Sequence, residues 1–440
     1  MQHDSDGGKG DKRFKLKIRH MILGLFGVLL LVAAVHMAIL SSGANRRLEA
    51  LRAAGQPTSM AELTLRNKLP MGMENAAPMY QNAIAAFVKP PEDVNLPFIG
   101  RKTVPLARGA AFPEPMDRAV AAYLAANEQC LALLHQAAGI ENCRYDYDYR
   151  NGMPPLSELR SCAQLLKLAA VNHAHKGDAA AVATCIKDAL CLGDSLRNEP
   201  QLISYLVHNG CAALAVTSVE RALSLTTFTD SQLKDLDDAL AVAGGRIDLA
   251  HAMATERCTV IDCIRDPSLR EETRGMAWVL KFPGVRSRGL IDLMDYMEDC
   301  IQAADLPGPQ RETRFKEIEA DLSGLSSLHI VAKVMAPALM RISQLDSRVR
   351  AHLDLGRIAV AIERYRLATG KLPEQLTDLV PTYMEQVPMD PFDGQPIRYR
   401  RTEPGYVLYS IMEDGQDNGG KEREDVGKGE PYDLCFIVTR

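Results

Sequence analysis

The most apolar segment of the chain lies close to its N-terminus. Residues 21–40 contain no Asp, Glu, Lys or Arg. A helix of this length, rising about 1.5 Å per residue, spans about 30 Å, the thickness of the hydrocarbon core of a bilayer. We therefore predict a transmembrane anchor over residues 20–41. A cleavable signal peptide is the alternative, because Ser42, Gly43 and Ala44 form a small-residue cleavage site.

Basic residues on either side of this segment indicate its orientation. Between residues 12 and 20 there are five, and between residues 41 and 52 there are three. Cytoplasmic flanks carry the excess of Lys and Arg. We therefore expect residues 1–19 to form a cytoplasmic tail and the bulk of the chain to lie in the periplasm, as in a single-pass protein of a bacterial inner membrane. The counted residues are Lys12, Arg13, Lys15, Lys17 and Arg19 before the segment, and Arg46, Arg47 and Arg52 after it.

The pattern after the anchor is first irregular and then helical. Residues 42–115 predict a juxtamembrane helix and a proline-rich connector, since prolines at this density prevent long helices. Over residues 116–340 apolar positions recur at spacings of three and four, which is typical of amphipathic helices. Gly177 and Asp178, for example, end one helix and cap the next. Such short turns predict antiparallel helix pairs in a bundle or solenoid-like α-helical domain.

Residues 341–440 change to a mixed pattern. A long helix with an apolar stripe ends at Thr369 and Gly370. Alternating apolar and polar residues at 397–400 predict a strand, and residues 406–411 and 434–438 predict two more. This unit is therefore expected to be a small α+β domain. The fold class predicted for the whole chain is mainly α, with an N-terminal transmembrane helix.

The overall composition is that of a globular protein and argues against one class of partner. Hydrophobic residues make up 47% of the chain and charged residues 24%, close to average. The net charge of −5 lacks the basic excess of a dedicated nucleic-acid binder, so we expect no nucleic-acid partner. The sequence contains no H-E-x-x-H, G-x-S-x-G, P-loop or Rossmann motif, which points away from the common hydrolases and nucleotide enzymes.

Ten cysteines raise the question of disulfides. A periplasmic location permits them, but no C-x-x-C pair occurs, which disfavours zinc-ribbon and thioredoxin-type chemistry. Most of the cysteines fall on apolar faces of predicted helices, where Cys packs as a small hydrophobe. We therefore expect mainly core thiols, with Cys143, which lies in a predicted loop, as the best candidate for a bridge.

An acidic loop near the C-terminus is the best candidate for a site. Eight acidic and three basic residues lie between residues 412 and 433, so this loop alone matches the net charge of the whole chain. Asp414, Asp417, Asn418 and Asp425 supply oxygen atoms between glycines, and Ca²⁺ takes six to eight such oxygens. The spacing does not fit an EF-hand. The alternative is a solvated turn-rich loop, in which Asp, Asn and Gly are the usual residues.

Three motifs in the last 90 residues carry a resemblance to a known family. They are YRLATGKLPEQLTDLVP, VPMDPFDGQPIRYR and GYVLYSIMEDGQDNGG, in this order after a long helix. Residues 351–440 thereby resemble the C-terminal domain of the major pseudopilins of type II secretion systems, and this resemblance implies a calcium site in the acidic loop. In pseudopilins the membrane segment runs directly into the long helix, whereas about 300 residues separate the two here. The shared part therefore resembles a reused module, and the helical middle resembles membrane-anchored proteins of planctomycete-type bacteria.

Three functional hypotheses follow from the sequence. The first is a membrane-anchored structural or interaction protein, with a protein partner and a C-terminal module that binds calcium. The second is a periplasmic hydrolase of unfamiliar type, and the third is a component of a type II secretion or type IV pilus-like assembly. A deep cleft with converging carboxylates or histidines would favour the enzyme, whereas a shallow groove would favour binding.

Overall fold

A mainly helical chain with a small antiparallel sheet is what the sequence predicts, and the structure confirms it. The computed structural model describes residues 7–92, 94–100, 104, 106–148, 152–269, 277–324 and 330–440. Within these ranges it contains 14 helices and one three-stranded sheet. Buried apolar residues from the end of the first helix to the last strand form one contiguous core.

The first helix, α1 (Gly7–Ala53), combines the predicted anchor with a docking segment. It is continuous over 47 residues. The portion Arg19–Ala53 is long and apolar enough to cross a membrane. Within the described residues, no protein covers the most apolar 18-residue stretch of this portion. A signal sequence passes the same test. Beyond the apolar run, Ala44 and Leu48 are buried in the core, so the helix enters the folded body without a break.

Nine helices follow α1, and local signals in the sequence explain where several of them begin. Asp178 accepts a hydrogen bond from the backbone N–H of Ala181, and Asp248 does the same for His251. Thr229 and Gln232 form a capping box. The helices are α2 (Met60–Arg66), α3 (Ala77–Ala86), α4 (Glu114–Ala126), α5 (Glu128–Ala138), α6 (Leu156–His175), α7 (Ala179–Asp194), α8 (Leu202–Leu225), α9 (Asp230–Gly245) and α10 (Leu249–Arg265).

Helix α8 lies at the centre of the helical body. It is also long and apolar enough to cross a membrane, but 61% of its most apolar 18-residue stretch is buried by other parts of the protein. Helices α6 and α7 pack against it, and α14, described below, packs on it as well. Its composition is therefore that of a core helix, which is apolar all round because it is surrounded.

Four helices complete the helical part and lead into the C-terminal unit. They are α11 (Ala277–Leu280), α12 (Pro283–Ala304), α13 (Gly308–Gly324) and α14 (Ile330–Thr369). Asp346 on α14 is fully buried and accepts hydrogen bonds from Tyr205 on α8 and from Arg350, and Arg311 on α13 forms an ion pair with it at 2.8 Å. Residue 341, where we placed a domain boundary, lies inside α14.

The C-terminal unit contains the three predicted strands, which form one sheet. Strands β1 (Arg398–Arg401), β2 (Tyr406–Ser410) and β3 (Leu434–Val438) pair antiparallel in the order β1-β2-β3. Gly405 in the turn between β1 and β2 has φ +99° and lies so close to the Val438 carbonyl that no Cβ would fit. Asp390 is fully buried in the VPMDPFDG segment and accepts hydrogen bonds from Ser410 and from the N–H of Ile411, which ties this segment to the sheet.

All ten cysteines are free thiols, and seven of them are buried. The prediction of mainly core thiols is therefore confirmed, whereas the expected bridge at Cys143 is not found. Its loop is held by Asn75 instead. The Asn75 side chain accepts a hydrogen bond from the N–H of Arg144 at 2.9 Å and donates one to the Arg144 carbonyl at 3.0 Å.

Candidate functional site

A pocket of about 380 Å³ opens between α7, α8 and α9. Its volume falls within the range of small-molecule sites, about 300–1,000 Å³. Much of its lining is apolar, and charged side chains lie among the apolar ones. The apolar residues are Leu190, Ala212, Ala239, Val242 and Ala243, and the polar ones are Lys187, Cys191, Asp194, His208, Asp235, Asp238 and Arg246.

His208 presents a hydrogen-bond acceptor in this pocket. It lies on α8 and is 4% exposed. Its Nδ1 lies 2.8 Å from the carbonyl oxygen of Gly193 on α7. Because a carbonyl oxygen only accepts, Nδ1 carries the hydrogen and Nε2 keeps its lone pair. Burial lowers the pKa of His208, so the ring is neutral at pH 7.

Asp194, the last residue of α7, is the second polar group of the pocket. One carboxylate oxygen pairs with Arg246 at 2.5 Å and with Arg197 at 3.4 Å. The other oxygen is buried and has no hydrogen-bond partner among the described residues. A buried acceptor without a partner is costly, and a ligand that donates a hydrogen bond would satisfy it.

The remaining charges of the pocket are arranged in pairs. Lys187 lies 3.7 Å from Asp235, and Asp238 pairs with Lys234 at 2.7 Å. Burial and the carboxylates of Asp188 and Asp194 raise the pKa of Cys191, so its thiol is protonated at pH 7. The pocket therefore offers an apolar floor and hydrogen-bond acceptors rather than an activated nucleophile.

The acidic loop that we singled out from the sequence is ordered by its own backbone. Asp414 and Asp417 each accept a hydrogen bond from the N–H two residues ahead, at 3.0 Å and 2.9 Å. Asp425 accepts one from the N–H of Glu422 at 3.2 Å in a short 3-10 turn. Asp417 also lies 3.7 Å from the guanidinium of Arg398, whose positive charge opposes a cation at that position.

Asp433, which sequence reasoning missed, is the centre of this loop. It is 1% exposed and accepts hydrogen bonds from the N–H groups of Asn418 and Gly420, at 3.3 Å and 2.7 Å. Burial raises the pKa of Asp433, and the two N–H groups oppose that rise. Across the described residues, no group of three or more His, Cys, Asp or Glu is arranged to hold a metal ion. Calcium binding stays a prediction.

The pocket was also missed, although the sequence carried one signal for it. His208 is a histidine within the apolar 24-residue helix α8. Such a histidine is usually a satisfied core residue, and only the packing of α7 and α9 shows that it lines a cavity. Asp194 gave no signal, because an acidic residue at the end of a helix is ordinary on a surface.

The geometry describes a mainly helical protein with an N-terminal apolar helix, a pocket between α7, α8 and α9, and a small C-terminal sheet. No protein family, curated protein or solved structure matches this chain.

Proposed function

We propose that the protein is a single-pass membrane protein that holds a helical body against the periplasmic face of a bacterial inner membrane and binds a small molecule there. The observation that carries the anchoring is the continuity of α1. The helix leaves its exposed apolar run and enters the core without a break, and Arg47 pairs with Asp295 on α12 at 2.6 Å and 2.8 Å. The proposal that the N-terminus is cytoplasmic rests on the excess of basic residues before the apolar run.

The pocket between α7, α8 and α9 supports the binding part of the proposal. Asp194 leaves one buried oxygen without a partner among the described residues, and Nε2 of His208 keeps a lone pair, so both can accept a hydrogen bond from a ligand donor. The apolar residues around them require an apolar body. The best ligand is therefore a small molecule with an apolar ring or chain and a hydroxyl, amine or amide group.

An enzyme remains the second hypothesis, because a histidine and carboxylates do converge in this pocket. Acid–base catalysis needs a group that is free to exchange protons with a substrate. Asp194 is held by two arginines, Asp235 by a lysine, and the Cys191 thiol is protonated. These pairings favour binding over catalysis.

Fragment attachment at Cys191 tests the pocket, because this thiol lines it. Two aromatic disulfides, one with a phenolic hydroxyl and one without, exchange with the thiol under mildly reducing conditions. We expect the hydroxyl fragment to be retained about fivefold more, as for a net hydrogen bond of about 1 kcal/mol. Mass spectrometry of the Cys191 peptide measures the occupancy.

Two variants control this experiment. Ala239→Phe fills the pocket and should remove the preference for the hydroxyl fragment, and Cys191→Ser should remove the labelling. Equal retention of both fragments in the wild type would contradict the binding site. The anchor is tested separately by alkaline extraction of membranes and by intact-mass measurement of the N-terminus. Extraction of the protein, or signal-peptide cleavage at residues 42–44, would contradict anchoring. Removal of a pilin-type leader near Gly24, inside the apolar run, would instead support a pilus-like assembly.

A protein partner and a calcium site are two further parts of the proposal. Support for both comes from the resemblance of residues 351–440 to pseudopilins. Calorimetry on the full chain in detergent should give heat with millimolar Ca²⁺ that Asp414→Asn reduces, while Glu128→Gln on α5 leaves it unchanged. The absence of heat would contradict the calcium site.

Cross-linking in native membranes, followed by identification of the captured chain, tests the protein partner.

A further inference from the structure

The corner between α11 and α12 exposes two large aromatic side chains. Trp278, the only tryptophan of the chain, is 68% exposed, and Phe282 is 59% exposed. Lys281 and Arg286 are exposed beside them. Large aromatic residues next to basic ones are typical of segments that lie in a membrane interface.

The packing of α12 against α1 shows where this corner lies. A Cβ at Gly284 would lie 3.4 Å from Met37, and a Cβ at Gly43 would lie 3.3 Å from Ile291. Further along, Asp295 pairs with Arg47. The contacts follow the same order on both helices, so α12 runs parallel to α1. The beginning of α12 therefore points back towards the apolar run of α1.

The depth of the corner follows from helix geometry. Met37 lies three residues before the end of the apolar run at Leu40, which corresponds to about 4.5 Å along the axis. The run matches the hydrocarbon core in length, so Met37 lies just inside the core boundary. The interfacial layer extends a further 5–8 Å or so beyond that boundary. Gly284 is beside Met37, which brings the start of α12, with Phe282 and the nearby Trp278, to the boundary between the acyl chains and the lipid headgroups.

We propose that the α11–α12 corner is a second membrane contact, inserted into the interface of the leaflet through which α1 leaves the bilayer. Trp278 and Phe282 would bury their rings at the boundary of the acyl chains, while Lys281 and Arg286 reach the phosphates. The occupant is the lipid bilayer, because the corner is continuous with the membrane-spanning run through Gly284 and Met37. Two contacts would fix the tilt of the helical body. This inference rests on the proposed anchoring by α1.

The single tryptophan makes a direct test available. The full chain is reconstituted into phosphatidylcholine–phosphatidylglycerol vesicles with brominated acyl chains, and Trp278 fluorescence is recorded. We expect loss of most of the emission relative to vesicles without bromine, a blue-shifted maximum and little quenching by aqueous acrylamide. Emission that bromolipid leaves intact and acrylamide quenches freely would overturn the proposal.

A matched variant controls for nonspecific quenching. In the Trp278→Phe, Leu367→Trp double variant the only tryptophan lies in the last turn of α14, next to Arg366, which contacts the C-terminal residue Arg440. Bromolipid should leave its emission unchanged, and equal quenching of the two proteins would also overturn the proposal. Flotation of the vesicles separates the two claims: a protein that floats with unquenched Trp278 refutes only the second contact, whereas one that does not float refutes the anchoring.

Discussion

Two neighbouring residues of α14 carry opposite pKa shifts. Burial, aided by the charge of Lys167, lowers the pKa of His352 to about 4. Burial raises the pKa of Asp354 to about 6, against the opposing effect of Arg357 and Arg350. The low polarity around each side chain therefore favours its neutral form, and each shift corresponds to about 3 kcal/mol.

These shifts make opposite contributions to stability between pH 4 and pH 6.5. A His with a lowered folded pKa contributes stability that is present above pH 6.5 and lost as the pH falls to 4. An Asp with a raised folded pKa contributes stability that is present below its unfolded pKa and lost as the pH rises through 6. The two contributions largely cancel in the wild type.

Substitution of either residue should uncover the contribution of the other. Relative to the wild type, His352→Gln should become less stable as the pH rises from 4 to 6.5, and Asp354→Asn should become more stable over the same interval. Urea unfolding of the full chain in detergent at several pH values measures both slopes. Parallel pH profiles for the three proteins would contradict the assignment.

At the scale of elements, the contact between α7 and α8 depends on one glycine. A Cβ at Gly193 would lie 2.9 Å from the Cβ of Cys211 and 3.1 Å from the His208 carbonyl oxygen. Both neighbours are on α8, and the carbonyl cannot move without shifting the helix. The close approach also holds Nδ1 of His208 at the Gly193 carbonyl, so the pocket depends on it.

Alanine at two glycines should therefore act in opposite directions. Gly193→Ala should destabilise the protein by about 1–3 kcal/mol, the usual cost of overpacking. Gly210→Ala, in the interior of α8 with nothing within 4 Å of its Cβ position, should stabilise it by up to about 1 kcal/mol. Thermal unfolding of both variants measures these changes in stability. A gain in stability for Gly193→Ala would refute the close contact between α7 and α8.

At the scale of the whole molecule, a buried carboxylate joins three distant parts of the chain. Glu220 on α8 accepts hydrogen bonds from Arg108 of the connector and from the backbone N–H of Ile437 on β3, both at 2.8 Å. Arg108 also pairs with Glu422 of the acidic loop. Burial raises the pKa of Glu220, and Arg108 opposes that rise. The C-terminal sheet is therefore attached to the helical body through this residue.

Removing that carboxylate should loosen β3. Glu220→Ala leaves the half-buried N–H of Ile437 without its acceptor and deprives Arg108 of one partner, a change that we expect to cost about 2–4 kcal/mol. Hydrogen exchange of residues 434–438 should speed up accordingly. Glu424→Ala removes an exposed carboxylate from the acidic loop and should leave that exchange unchanged. Equal exchange in the two variants would show that Glu220 does not hold the sheet.

Local pattern predicted much of the fold. The limits of β3 were read from the local pattern of residues 434–438, because that signal is contained in a few adjacent residues. The bridge expected at Cys143 was wrong, since the residue that holds its loop, Asn75, lies 68 positions away in the sequence. The pocket was missed for the same reason, as Gly193 and His208 meet only after two helices pack.

The sequence by itself determined the helical class, the apolar run of α1, the positions of the C-terminal strands and the acidic charge of the last loop, because each depends on residues close together along the chain. Only the tertiary structure decided which carboxylates are buried, that α12 runs parallel to α1 towards the apolar run, and that Asp194 and His208 share a cavity. Those properties arise from desolvation and contact between distant segments, which no local pattern contains.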